Sequence, residues 1–186
     1  VNNKYISKGC KIILRPLEEK DIDKRYLSWL NDKKVTKYME TVRRRVTIKE
    51  LRHFYKKIKR SKNDAMFAII TKEDGLHIGN IKLCNINWFH KYADLGIMIG
   101  DKEYWGKGLG LEACRLLLEY AFFKLGLNKV ILGVYSEHAY AIMLYKRAGF
   151  KIEGRITGIL LNIHRRRTDK LIMGISKSEF SRLRKQ

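Results

Sequence analysis

Gly106, Gly108 and Gly110 alternate with Lys107 and Leu109 directly after Tyr104-Trp105. The helical pattern Leu111-Glu112-Ala113-Cys114-Arg115-Leu116-Leu117-Leu118-Glu119-Tyr120 follows, and the run Leu95-Gly96-Ile97-Met98-Ile99 before it reads as a buried strand. Strand, glycine turn and helix start together make a seat for an anion. Glycine takes positive φ and lets the backbone approach a bulky phosphate. A helix start adds unpaired N–H groups and the positive end of the dipole. The chemistry implied is the holding of a phosphorylated ligand. Of two familiar phosphate loops, one fails and the other is disfavoured. A P-loop needs Ser or Thr after its lysine, and Lys107 is followed by Gly108. A dinucleotide loop needs G-x-G-x-x-G in an early βαβ unit, with an acid about 20 positions on. Here the spacing is G-x-G-x-G, it falls past mid-chain, and Leu125 to Lys129 holds no acid.

A second segment stands downstream: Ser136-Glu137-His138-Ala139-Tyr140-Ala141-Ile142-Met143-Leu144-Tyr145-Lys146-Arg147-Ala148-Gly149-Phe150. Taken with the glycine loop, it resembles the GNAT acyltransferase superfamily, which has an [RQ]-x-x-G-x-[GA] loop and a later A-I-x-L-Y-x-x-x-G-F helix. The second pattern is intact from Ala141 to Phe150. Arg15, Trp29-Leu30-Asn31-Asp32 and Ile99 to Gly108 look like the ribosomal-protein N-terminal acetyltransferase branch. Two positions depart from the pattern. Trp105 stands at the Arg/Gln position of the loop, and His138 stands where the family usually has Asn.

The resemblance implies acetyl-CoA as the donor and no metal. It places the CoA pyrophosphate on the amides of Gly106 to Leu111, with Trp105, Lys107, Gly108, Leu109, Gly110, His138, Tyr145 and Arg147 among the cofactor contacts. It lays the pantetheine arm against the backbone of Ile97, Met98 and Ile99. It makes Tyr145 the general acid, and a phenol with an ordinary pKa near 10 is protonated at neutral pH. The base is open. Asp94 lies on the strand that leads to the loop, where this branch often has Glu. His138 and His90 are rivals because imidazole titrates near neutrality, and a chain of waters is a further alternative. With no nucleophile–base pair in the sequence, direct attack by the amine is favoured over an acyl-enzyme.

These groups must be positioned by a fold. Lys11 to Arg15 reads as a strand ended by Pro16, and Ile22, Tyr26, Trp29 and Leu30 share one helical face. Val35 and Tyr38 suggest a short turn. Thr47-Ile48-Lys49-Glu50 is a capping box that opens a helix. Ala65 to Thr71 and Leu76 to Ile86 form a hairpin around Glu73-Asp74-Gly75, with a bulge at Gly79. Tyr92 to Gly100 is the next strand. A helix runs from Leu111 towards Gly126, Lys129 to Val134 is a strand, and Ala139 to Ala148 a helix closed by Gly149. Phe150 to Ile163 and Lys170 to Ile175 read as a long hairpin tipped by Arg165-Arg166-Arg167. The expected class is α+β: a mixed, largely antiparallel central sheet flanked by helices on both faces, in one GNAT-like domain over residues 1–186.

At 186 residues with 45% hydrophobic content, the chain is a globular protein with a real core. No apolar run suggests a membrane span, and Val1-Asn2-Asn3-Lys4 does not open a signal peptide. Cys10, Cys84 and Cys114 have neither metal nor disulfide spacing, which fits a reducing, cytoplasmic location. The net charge is +21. Of the 40 Lys and Arg, 20 fall in residues 1–62 against 7 Asp and Glu, clustered as Arg43-Arg44-Arg45 and the Arg52 to Lys62 face. CoA is itself an anion and accounts for a local patch; the rest of the excess is either a solvated face or serves a second anionic partner, acidic or nucleic-acid-associated. The acceptor is a primary amine: a ribosomal or other protein N-terminus, or an amino-sugar nucleotide whose phosphates suit the surface. Such a field repels polyamines and aminoglycosides unless an acidic pocket focuses them. A non-catalytic CoA- or RNA-binding module is the reading from another class.

Overall fold

A computed structural model describes residues 6–40 and 44–184. Val1, Asn2, Asn3 and Lys4, and Arg43 of the basic cluster, lie outside the described residues. One eight-stranded sheet runs through the chain: β1 (Ser7–Lys8), β2 (Ile12–Pro16), β3 (Ala65–Thr71), β4 (His77–Asn87), β5 (Tyr92–Ile99), β6 (Lys129–Tyr135), β7 (Lys151–Leu161) and β8 (Arg167–Ser176). The order is β1-β2-β3-β4-β5-β6-β8-β7. Every pair is antiparallel except β5 with β6.

The alternation of side chains along each strand divides the molecule into two layers. On one face, Ile69, Ile81, Leu83, Ala93, Leu95, Val130, Leu132 and Met173 are buried. They pack under α4 (Leu109–Glu119), α5 (Ala139–Ala148) and α6 (Lys177–Leu183). On the other face, Ala68, Met66, Ile70 and Met98 meet a smaller cluster made by Tyr26, Trp29, Leu30, Leu51 and Tyr55. Those side chains come from α1 (Lys24–Asn31) and α3 (Ile48–Arg60), with the short α2 (Lys33–Thr36) between them. Helices therefore stand on both faces.

Local chemistry explains the boundaries. Thr47 Oγ1 accepts from the Glu50 amide, and a Glu50 carboxylate oxygen accepts from the Thr47 amide at 2.8 Å, closing the capping box that starts α3. Ser176 and Glu179 repeat that box at α6, a helix absent from the sequence reading. The β3–β4 register shifts where Ile69 pairs with Gly79 and Ile70 with His77, which is the bulge expected at Gly79. Three boundaries differ from expectation. The glycine-loop helix starts at Leu109 rather than Leu111 and ends in a π-helical turn over Tyr120–Lys124. Of the triple-arginine tip, Arg167 is already in β8. Within Leu95 to Ile99 only Leu95 is fully buried; the rest is half-covered, for a reason given by β6.

Candidate active site: a fork between two parallel strands

β5 and β6 pair only at Tyr92–Asp94 with Lys129–Ile131. Beyond that root the strands diverge, and β6 continues to Tyr135 paired with β8 alone. Ile97, Met98 and Ile99 thus present to the gap a backbone edge that no neighbouring strand takes up. Such an edge pairs readily with an extended amide chain. Their side chains are committed elsewhere, Ile97 and Ile99 to the larger cluster and Met98 to the smaller.

The glycine loop closes the end of the fork. Gly106 and Gly108 sit at φ +74° and +81°, and a Cβ on either would meet nothing within 4 Å. They form an open cradle. Gly108 is the N-cap of α4 and no side chain caps the helix; the first helical bond runs from the Glu112 N–H to the Gly108 carbonyl. The amides before it have no partner within the helix. Gly110 has a different task. A Cβ there would lie 2.9 Å from Leu144 Cδ1, with Ile99 and Ile97 just beyond, so this glycine lets α4, α5 and β5 meet. The Leu109 side chain is buried, which leaves only its amide for a ligand. The Trp105 indole N–H donates to the Ile99 carbonyl at 2.8 Å. Its observed work is to pin the loop to the strand end. Lys107 holds its ammonium 4.9 Å from the Tyr104 ring centroid. Arg147 is exposed on α5, and its carbonyl accepts from Arg115.

Tyr145 lies on the inner face of α5, 7% exposed, with its ring 5.9 Å from Phe150. Its hydroxyl has no hydrogen-bond partner among the described residues. Burial, with a smaller contribution from the Cys114 thiol, pushes the phenol well above its ordinary value. It is a proton donor at neutral pH.

The candidate bases are separated. Asp94 is at the root of the fork, half-buried, and accepts from Asn85 Nδ2 at 2.6 Å. His138 is at the mouth, as the N-cap of α5, with its amide donating to the Tyr135 carbonyl at 2.9 Å. Tyr38, from the segment after α2, stacks on the His138 ring and packs against Tyr135. Burial first, and the charge of Lys37 second, lower the imidazole below its usual value. His138 is therefore neutral near pH 7 and can accept a proton. His90 is on the exposed β4–β5 turn, beyond the root end of β5 and about 20 Å of strand from the loop. The fold does not bring it to the fork. Tyr38 was missed by sequence reading, which treated it only as part of a turn. The contact spans about 100 positions, and no local pattern signals it.

An open cradle of amides, a free strand edge and a buried phenol suit a donor of the chemistry of CoA, with a phosphate at one end and amides along its arm. The comparisons with known proteins bear on the family. The family described as "Acetyltransferase (GNAT) domain" matches residues 11–151. The chain belongs to the GNAT acetyltransferase family. Among GNAT relatives, spermidine N(1)-acetyltransferase of Escherichia coli strain K12 is 35% identical over 144 residues, covering 77% of this chain and 74% of the relative. The Vibrio cholerae spermidine N(1)-acetyltransferase is 30% identical over 148 residues, covering 80% and 83%. The crystal structure of the spermidine N-acetyltransferase from Vibrio cholerae in complex with CoA and spermine superposes with a TM-score of 0.84 at 27% identity, over 91% of this chain and 98% of that one. The family membership expected from the loop and the α5 motif is thereby established. Similarity to the ribosomal-protein branch in particular is not what these relatives show.

Proposed function

We propose that this GNAT protein moves the acetyl group of acetyl-CoA to a primary amine by direct attack. The observation that carries this reading is the fork: the Ile97 to Ile99 edge is taken up by no neighbouring strand, and the Gly106–Gly108 cradle stands at its end. When bound, acetyl-CoA supplies an activated thioester. The loop amides hold its pyrophosphate, and backbone N–H groups of Ile97 to Ile99 orient the arm and stabilise negative charge on the carbonyl oxygen. Tyr145 keeps a proton at its hydroxyl for the departing thiolate. The amine gives up its proton to His138 at the mouth, to Asp94 at the root, or to water held between. Two of the protein's three thiols, Cys84 and Cys114, speak for direct attack over an acyl-enzyme. Burial pushes Cys114 up to about 12 and also raises Cys84, so neither supplies a thiolate at neutral pH.

Two acceptor classes have support. The spermidine acetyltransferases among the relatives speak for a polyamine. The net charge of +21 speaks for an amine carried on an anion, such as an amino-sugar nucleotide. A protein N-terminus rests on the sequence resemblance alone. The test is thiol release from acetyl-CoA with the purified protein across spermidine, spermine, amino-sugar nucleotides and N-terminal peptides. Amine-dependent release with any of them supports the transferase. CoA or RNA binding without release under any condition supports a non-catalytic module.

A further inference from the structure

The mouth of the fork carries more positive charge than the donor needs. Lys37 holds its ammonium 4.9 Å from the Tyr38 ring centroid, and its charge reaches His138. Lys170, on β8, lies flat over the exposed Gly133 of β6; a Cβ on Gly133 would sit 2.0 Å from Lys170 Cε and 3.0 Å from its Nζ. The β7–β8 tip is latched to the same place, because Asn162 Nδ2 donates to Glu137 Oε1, next to His138, at 3.3 Å. That tip presents Arg165 and Arg166, both exposed. Two carboxylates stand among these four cations, and both are engaged. Glu40 pairs with Lys170 at 2.8 Å, and Glu137 holds Asn162. Lys37, Arg165 and Arg166 have no carboxylate partner among the described residues. Two separate elements, the segment after α2 and the β7–β8 tip, thus bring unpaired cations to a rim where β8 adds the paired Lys170.

We propose that the acceptor is a small-molecule amine bearing a phosphate group, and that Lys37, Arg165, Arg166 and Lys170 form the collar that receives the phosphate. The inference rests on the acetyltransferase reading and names its acceptor class. A polyamine needs free carboxylates to replace its hydration; this rim supplies cations instead. An anionic group docked on the collar leaves the attached amine beside His138. Arginine suits the task because its planar fork of donors matches phosphate.

The test uses a matched pair, glucosamine 6-phosphate and glucosamine, with spermidine as the third arm and thiol release as the readout. The phosphorylated member should show the higher kcat/KM. The double variant Arg165→Ala/Arg166→Ala should lower that kcat/KM about 10- to 100-fold, leave glucosamine unchanged and leave CoA binding by calorimetry unchanged. Raising salt should narrow the difference between the pair. A glucosamine 6-phosphate kcat/KM no higher than that of glucosamine, or below that of spermidine, overturns the proposal, as does a double variant that keeps the phosphate preference. Spermidine turnover with intact CoA binding would still leave the acetyltransferase reading standing. Absent CoA binding would remove both.

Discussion

The Tyr38 and His138 rings stack with centroids 4.1 Å apart and planes 21° from parallel. This contact joins the segment after α2 to the start of α5 and fixes the imidazole at the mouth of the fork. It also sets the proton affinity of His138, because the covering ring is part of what removes the imidazole from water.

The pH dependence follows with a definite sign. The folded His138 has a lowered pKa, so it takes up its proton only below the ordinary value near 6.5. Above that value the group is neutral in both states and adds no pH dependence. As pH falls below 6.5 the unfolded chain protonates first and stability drops, until the folded pKa is also passed. Denaturant melts of the wild type and His138→Gln should differ in slope only in that acid window. If His138 is the base, the acid limb of kcat/KM should lie below 6.5. It should move up in Tyr38→Ala, where the ring regains water. A limb unmoved by Tyr38→Ala assigns the proton to another group.

Asp94 is the alternative at the root. Asp94→Asn keeps the shape and the Asn85 neighbour but removes the proton acceptor. Loss of about 10²–10⁴ in kcat with unchanged CoA affinity would make it the base. An effect below tenfold, paired with a large loss in His138→Gln, places the base at the mouth.

The two kinds of glycine in the loop should respond differently. Gly108→Glu fills the cradle and forces a side chain at φ +81°, at about 1–2 kcal/mol of backbone strain. CoA affinity should fall by more than that strain accounts for, as charge-assisted bonds of about 1.5–3 kcal/mol each are lost. Gly110→Leu should instead cost about 1–3 kcal/mol of stability by overpacking against Leu144. Calorimetry and melts on the two variants separate these outcomes.

How far the sequence led depends on the range of each interaction. The Thr47–Glu50 box, the Gly75 turn and the α5 motif ending at Gly149 are local, and local patterns located them. The Ser176-Lys177-Ser178-Glu179 box is equally local and could have revealed α6. The fork was hidden, because where β5 leaves β6 is decided by strands paired across dozens of residues. For the same reason Leu95 to Ile99 read as fully buried. Trp105 showed its place in the loop but not its bond to the Ile99 carbonyl, and Tyr38 gave no sign of His138.

A buried ion pair stands between β2 and the turn that follows it, three strands from β5. Arg15 meets Asp21 in a two-pronged contact at 2.6 Å, with both side chains nearly covered. Burial pushes the Asp21 carboxyl up, but Arg15 and the Glu18 amide outweigh it and hold the group below the usual carboxylate range. This stability is present above the unfolded value near 3.9 and is lost as pH falls through the folded one. Arg15→Met should cost about 3–5 kcal/mol in chemical denaturation at pH 7, since it strands a buried charge. Arg15→Met combined with Asp21→Leu should recover much of that loss.

The most direct measurement is single-turnover thiol release from acetyl-CoA by the wild type and Tyr145→Phe, with a saturating amine acceptor and CoA affinity measured in parallel. The variant removes one hydroxyl from a packed ring, so folding and CoA affinity should hold while the chemical step slows about 10²–10⁴-fold. Equal single-turnover rates in the two proteins, or an absence of CoA binding by the wild type, would contradict the account.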